Sequence, residues 1–312
     1  MVNKLAFLFP GQGSQVVGMG QGLRENYSLA REIIDKCNNI LGYDLWEIIQ
    51  KGPKEELDLT ENTQPAILTI SYILSELLKE AGVKPENAAG LSLGEYSALV
   101  YGGVISYENA LPLVKKRGEI MQRAVPLGTG GMVALLGATV DKVESFLKDI
   151  KGGYVQVANY NCPGQYVVTG ETSAIAEVIE KAKDYGIKRA VKLDVSGPFH
   201  SKFLEKAGLE LKGELEKIPF NEPQINIYSN VTAQRYRDRE EIKDLLVKQV
   251  SHSVLWEQTI ENMINQGVEG FVEVGPQKTL SAMVKKISAK VWVKNVEDSK
   301  TLEEFLQFYQ RM

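Results

Sequence analysis

The sequence predicts an α/β protein: a parallel sheet covered by helices, with a smaller antiparallel unit inserted into it. Three observations carry that prediction. Short apolar runs alternate with helical patterns through most of the chain, as strands covered on both faces require. Between Met132 and Val195 the rhythm changes to strand, helix, strand, strand, helix, strand within about seventy residues, the split-βαβ order of a ferredoxin-like unit. At 312 residues the chain also exceeds the size at which one core stops growing, ~250–300 residues. The expected division is a large α/β unit, 1–127 with 196–312, and a small ferredoxin-like unit, 128–195.

Taken in order, Leu5-Ala6-Phe7-Leu8-Phe9 is the continuous apolar run of a buried parallel strand. It stops at Pro10-Gly11-Gln12-Gly13-Ser14-Gln15, where both the G-x-G-x-x-G spacing and a P-loop lysine are lacking. That loop is either a tight turn or a row of backbone N–H groups facing something anionic. Helical patterns follow at 18–41 and 45–50, and Thr63-Gln64-Pro65 opens an apolar helix over 66–80. A weak strand at 87–90 runs into a helix at 95–101, and 106–124 is an amphipathic helix. Pro126-Leu127-Gly128-Thr129-Gly130-Gly131 reads as a hinge into the small unit. There, strands are expected at 132–136, 154–160, 165–169 and 188–195, with helices at 139–150 and 173–185. The larger pattern then resumes with strands at 225–227, 270–274 and 291–293 and helices at 240–249, 255–265, 279–289 and 302–311.

Composition narrows the function. The chain is 44% hydrophobic and 24% charged, ordinary for a globular protein, and its net charge of −4 argues against a general nucleic-acid binder. Cys37 and Cys162 form neither a disulfide framework nor a metal-ligand spacing. The first apolar run is too short for a signal peptide and no run reaches ~18 residues, so a cytoplasmic protein is expected.

Chemistry concentrates at three places. Gly90, Ser92 and Gly94 spell G-x-S-x-G, which is either an ordinary glycine-rich turn or the strand-to-helix elbow of an α/β-hydrolase-like enzyme. The sequence has two histidines, so a serine nucleophile has few candidate bases. His200 follows the rigid turn Gly197-Pro198, whereas His252 in Ser251-His252-Ser253 has no such feature. No separate acid stands out; Asp194, at a strand end, is a weak orienting candidate. Finally, at ~100° per residue Ala110, Leu113, Val114, Arg117, Met121 and Ala124 share one helix stripe. Arg117 thus falls on an apolar face. Such a guanidinium needs an internal carboxylate or a carboxylate on a substrate, held bidentately.

These residues resemble the malonyl-CoA:acyl carrier protein transacylases of fatty-acid synthesis over nearly the whole chain. Phe9-Pro-Gly-Gln-Gly-Ser-Gln15, Thr63-Gln64-Pro65-Ala66, Ser92-Leu93-Gly94-Glu95-Tyr96-Ser97 and Lys115-Lys116-Arg117-Gly118 match family motifs in order. So do Asn159-Tyr160-Asn161 with Pro163 and Gln165, Val195-Ser196-Gly197-Pro198-Phe199-His200-Ser201, and Glu273-Val274-Gly275-Pro276. Two positions depart from the pattern. Leu91 stands where the family commonly has His, which bears on tuning rather than chemistry, and His252 stands where a small residue is usual.

The resemblance implies a Ser–His dyad. Ser92 is the nucleophile, His200 the base, and a backbone carbonyl near Gln249 orients the imidazole. Backbone N–H groups of Gln12 and Leu93 would hold the oxyanion, each such donor being worth ~3–4 kcal/mol of barrier. Arg117 would pair with the malonyl carboxylate, so that an acetyl group leaves it unpaired at a cost of ~1–3 kcal/mol. Phe199 would narrow the pocket against a 2-methyl branch, and Asn161 and Gln165 would line the substrate site. The implied reaction is ping-pong transfer from malonyl-CoA to the pantetheine thiol of acyl carrier protein, with no cofactor or metal and a monomeric enzyme. Lys116, Arg123, Lys188, Arg189 and Lys202 are candidate contacts for the acidic carrier, or simply a solvated rim. The rivals are a polyketide acyltransferase, an acyl hydrolase, and an inactive scaffold of the same fold.

Overall fold

The structure is a computed structural model describing residues 4–126, 128–195 and 197–312. Leu127 and Ser196, at the expected unit boundaries, lie outside the described residues, as do Met1, Val2 and Asn3. Among the described residues nine strands run, in chain order, β1 Leu5–Phe9, β2 Asn87–Gly90, β3 Gly130–Leu136, β4 Val155–Cys162, β5 Gln165–Glu171, β6 Arg189–Lys192, β7 Asn226–Ile227, β8 Gly270–Val274 and β9 Trp292–Val296. They form two sheets, one parallel in the order β7-β2-β1-β8-β9 and one antiparallel in the order β4-β5-β3-β6.

β1 is the centre of the parallel sheet, and its composition follows from that place. Alternate side chains point to opposite faces of a strand. Leu5, Phe7 and Phe9 enter one hydrophobic cluster, while Ala6 and Leu8 enter another with Trp256, Ile260 and Phe271. Both faces are covered, so every position is apolar. β1 leads to β2 on one side, and the chain later crosses from β7 to β8 on the other side of β1, so the strand order reverses there; ligands of open α/β sheets bind at such a switch point beyond the strands' carboxyl ends. The loops after β1 and β2 therefore stand side by side.

The antiparallel sheet has the expected ferredoxin-like order. Val133 and Leu135 of β3 pack with Phe146 and Ile175 from the helices Val140–Asp149 and Thr172–Lys181. Met132 and Ala134, alternating with them, turn to the opposite face and pack with the core of the large unit. That uncovered face of the small sheet closes over the carboxyl ends of the large one.

Several elements differ from their expected extents. The helix expected at 18–41 breaks at the extended Tyr27 into Gln21–Asn26 and Ser28–Leu41. The helix expected from 66 begins at Thr60 and carries Pro65 inside its second turn. That is past the first-turn N–H groups that lack helical partners anyway, so the ring forgoes one main-chain bond, to the Glu61 carbonyl. The strand expected at 188–195 pairs only over Arg189–Lys192, and a helix at Glu205–Leu215 was not anticipated. Among the described residues no helix is long and apolar enough to cross a membrane.

Candidate active site

The G-x-S-x-G stretch is a strand-to-helix elbow. β2 ends at Gly90 and the helix Leu93–Tyr101 starts one residue after Ser92. Ser92 has φ 53° and ψ −102°, a strained conformation for a residue with a side chain. Glycine on either side makes it possible: a Cβ on Gly90 would lie 1.9 Å from the Gly94 carbonyl, and one on Gly94 would lie 2.0 Å from the Phe9 oxygen. Asn230, just past β7, ties the turn together. Its Nδ2 donates to the Gly90 carbonyl at 2.7 Å, and its Oδ1 accepts from the Ser92 N–H at 2.7 Å.

Ser92 meets His200 across 108 residues of chain, with its Oγ 2.9 Å from His200 Nε2. The other ring nitrogen, Nδ1, lies 2.8 Å from the Gln249 carbonyl and 3.2 Å from the His252 carbonyl. A carbonyl only accepts, so Nδ1 carries the proton and Nε2 offers its lone pair to the serine. Gln249 ends the helix Arg239–Gln249, whose last carbonyls lack helical partners and lie at the negative end of the dipole. Main chain thus does an acid's work, and the exposed Asp194 has no part in it. Burial, reinforced by the Arg117 charge, lowers His200 to about 4, so the imidazole is a neutral base at pH 7. Gln156 Nε2 of β4 donates to the His200 carbonyl at 2.7 Å and anchors the loop from the small unit.

Arg117 lies on the buried stripe of the helix Tyr107–Arg123, 1% exposed. The sequence left it either an internal carboxylate or one on a substrate; among the described residues its hydrogen-bond partners are neutral side chains instead. Nη1 donates to Gln64 Oε1 at 2.8 Å, and Nη2 donates to Gln249 Oε1 at 2.8 Å and to Ser92 Oγ at 3.1 Å. The guanidinium also sits 5.2 Å from the Tyr96 ring centroid. These partners are neutral. Among the described residues Nε has no partner, so the cation is not saturated.

The remaining expected residues surround one cavity of ≈ 260 Å³ between the two sheets, with Gln12, Leu93 and Phe199 on the large unit and Asn161 and Gln165 on the small one. Neither the Gln12 nor the Leu93 backbone N–H has an intramolecular acceptor among the described residues. Leu93 N is a free first-turn donor at the positive end of its helix. Asn161 Oδ1 is buried and has no partner among the described residues. Leu91 lines the same cavity beside the nucleophile. Of the basic rim, Lys116 pairs with Glu119 at 3.2 Å, Arg123 pairs with Glu210, and Lys202 lies over the Tyr154 ring, while Lys188 and Arg189 are exposed.

Sequence reasoning missed Asn230, Gln64, Gln156 and above all Glu95. Glu95 is completely buried one turn into the elbow helix. Tyr236 Oη and Gln249 Nε2 (2.5 Å) donate to its carboxylate, and burial raises it to about 7. A signal existed: Glu95 is the one charge in an otherwise apolar helix, as Arg117 is on its stripe.

Comparison with known proteins places this geometry. Residues 6–303 match the acyl transferase domain family. The chain is 42% identical over 308 residues, 98% of its length and 97% of the relative's, to the malonyl CoA-acyl carrier protein transacylase of Bacillus subtilis (strain 168). It is 40% identical over 311 residues, 98% and 100% of the two chains, to the protein of the same name in Haemophilus influenzae. Among solved structures, the malonyl CoA-acyl carrier protein transacylase of Clostridium perfringens superposes with a TM-score of 0.95 at 44% identity, covering 99% of this chain and 98% of that one. A malonyl-transacylase in complex with its type II PKS acyl-carrier protein also gives 0.95, at 38% identity over 98% and 100% of the chains.

Proposed function

The chain belongs to the acyl transferase family, and from that footing we propose that it moves a malonyl group from malonyl-CoA to the pantetheine thiol of an acyl carrier protein through an ester on Ser92. One observation carries the reading: the Ser92 hydroxyl is within 2.9 Å of a neutral imidazole and 3.1 Å of an unsaturated guanidinium. Base and anion receptor converge on one nucleophile.

His200 Nε2 takes the Ser92 proton as Oγ attacks the thioester carbonyl. The unpaired N–H groups of Gln12 and Leu93 receive the oxyanion, and the C–S bond breaks as coenzyme A leaves with the proton from His200. The carrier thiol then gives its proton to His200 and attacks the malonyl-serine ester, which regenerates the hydroxyl. Arg117 receives the free carboxylate through Nε, which has no partner among the described residues, and through the Nη2 proton that Ser92 Oγ gives up once it is acylated. An acetyl group has nothing to offer that pair of donors, and a hydrolase would gain nothing from it. Phe199 lies at the cavity wall beside His200, where it restricts branching at the acyl C2.

Fatty-acid synthesis is the pathway we assign, since the curated relatives quoted above carry the same name throughout. The neighbour solved with a type II PKS carrier makes a polyketide carrier the second reading. Mass spectrometry after mixing with malonyl-CoA should show a malonyl adduct on Ser92 that Ser92→Ala abolishes. Chasing the adduct with each kind of carrier protein then identifies the acceptor, and release of free malonate without any carrier would make the protein a hydrolase instead.

A further inference from the structure

Two buried charges share the site without touching. Glu95 is fully buried and Arg117 nearly so, and neither forms a salt bridge among the described residues. One amide joins them: Arg117 Nη2 donates to Gln249 Oε1 at 2.8 Å, and Gln249 Nε2 donates to Glu95 Oε2 at 2.5 Å. A guanidinium only donates and a carboxylate only accepts, so the amide's orientation is dictated from both ends. Either ion alone would be costly to bury. Direct contact would have closed a bidentate pair and used up the guanidinium. With an amide between them, the charges compensate while Arg117 Nε stays free.

We propose that Glu95 is the standing counter-charge of Arg117, and that it limits how tightly the guanidinium grips an acyl carboxylate so that the group can be passed on. The inference rests on the malonyl reading above. Glu95 touches no substrate atom in it; its role is positioning and charge balance exerted through Gln249.

Around the Glu95 carboxyl stand Tyr236, which donates to it, Tyr96 on the same helix, Arg117 beyond Gln249, and His200 on the far side of Gln249. Burial pushes Tyr236 well up and Tyr96 up to about 12, and lowers His200 to about 4. Near neutral pH only Glu95, raised to about 7, changes charge within this group.

The experiment measures acyl-enzyme formation from malonyl-CoA and acetyl-CoA across pH, in the unaltered protein and in Glu95→Gln. Their ratio cancels the contribution of His200, which both substrates use. At about pH 8, Glu95→Gln should raise the malonyl-to-acetyl ratio about fivefold or more, because the guanidinium loses its standing partner. In the unaltered protein the ratio should climb as pH falls through about 7, while that of Glu95→Gln stays flat. A ratio that is unchanged or lowered by Glu95→Gln, or one that is flat with pH in the unaltered protein, overturns the proposal. Should Glu95→Gln fail to fold, the pH profile of the unaltered protein decides alone. Arg117→Ala separates the two readings. If the unaltered protein has no malonyl preference, or keeps it in Arg117→Ala, the malonyl reading fails and this inference falls with it. If the preference depends on Arg117 but ignores Glu95, only this inference falls.

Discussion

Arg117 Nη2 donates to Ser92 Oγ across 3.1 Å, so the cation on the helix Tyr107–Arg123 touches the proposed nucleophile itself. Removing it should therefore have a large effect and a small one. Arg117→Ala should lower malonyl transfer by about a hundredfold or more, since a charge-assisted contact and its partner's desolvation are both lost. Acetyl transfer should fall by about tenfold or less, through the serine contact alone. Steady-state kinetics with both thioesters checks this, and equal losses would remove the anion receptor from the mechanism.

The imidazole is already neutral at pH 7, and burial holds its pKa at about 4. A general base must be unprotonated, so serine acylation should persist as pH falls below the ordinary histidine value of 6.5 and fail only as pH approaches about 4. Stopped-flow acylation with acetyl-CoA, which lacks the carboxylate, isolates this titration. A midpoint near 6.5 would mean that His200 is solvated during the reaction.

The elbow tolerates no Cβ at its flanks. Gly94→Ala would put a methyl group 2.0 Å from the Phe9 carbonyl oxygen, forcing β1 and the elbow helix apart. The expected outcome is insoluble protein or a fold with no Ser92 adduct. Soluble, fully acylating Gly94→Ala would contradict the geometry.

Asn230→Leu removes both hydrogen bonds that brace the serine turn, to the Ser92 N–H and the Gly90 carbonyl. Unbraced, the strained φ of Ser92 should relax, with acylation slowed about tenfold or more and folding stability down by ~1–3 kcal/mol. Acylation rate and Tm, taken together, test this.

Glu273, buried in β8, accepts from the Leu280 and Ser281 N–H groups at 3.0 and 2.7 Å and so caps the helix Thr279–Ile287. Burial raises its pKa from an ordinary 4.5 to about 7. A group that binds its proton more tightly when folded stabilises the protein below the unfolded value, and loses that contribution as pH rises through the folded one. Between about pH 4.5 and 7 the protein should thus gain stability on acidification, and Glu273→Gln should shrink the gain. Glu95 adds in the same direction, and His200 opposes both below its ordinary 6.5. Denaturant midpoints at several pH values measure the difference, and an unchanged slope in Glu273→Gln would count against it.

Much of this site was legible in the sequence, because its chemistry-bearing residues violate their surroundings. Arg117 interrupts an apolar stripe, His200 follows a rigid Gly-Pro turn, and Ser92 stands between two glycines. The small unit was legible for another reason: its element order has a distinctive rhythm, and the sheet follows it strand by strand. What stayed hidden were relations between distant neutral side chains. Asn230, Gln64 and Gln249 are ordinary polar residues until the fold brings their amides against the elbow and the guanidinium. The helix at Glu205–Leu215 was hidden for a local reason: Leu209 is 68% exposed and blurs its apolar stripe.

The acceptors that orient His200 are the carbonyls of Gln249 and His252, and every amino acid has a carbonyl. This explains how an outward-facing histidine can occupy position 252 while its carbonyl serves the imidazole. A saturation screen for inactive alleles should find many at 92 and 200 and none that act by erasing this contact. The contact itself is written into no codon, so position 252 is free to drift on its account, whereas position 249 is held by what its own side-chain amide does for Arg117 and Glu95.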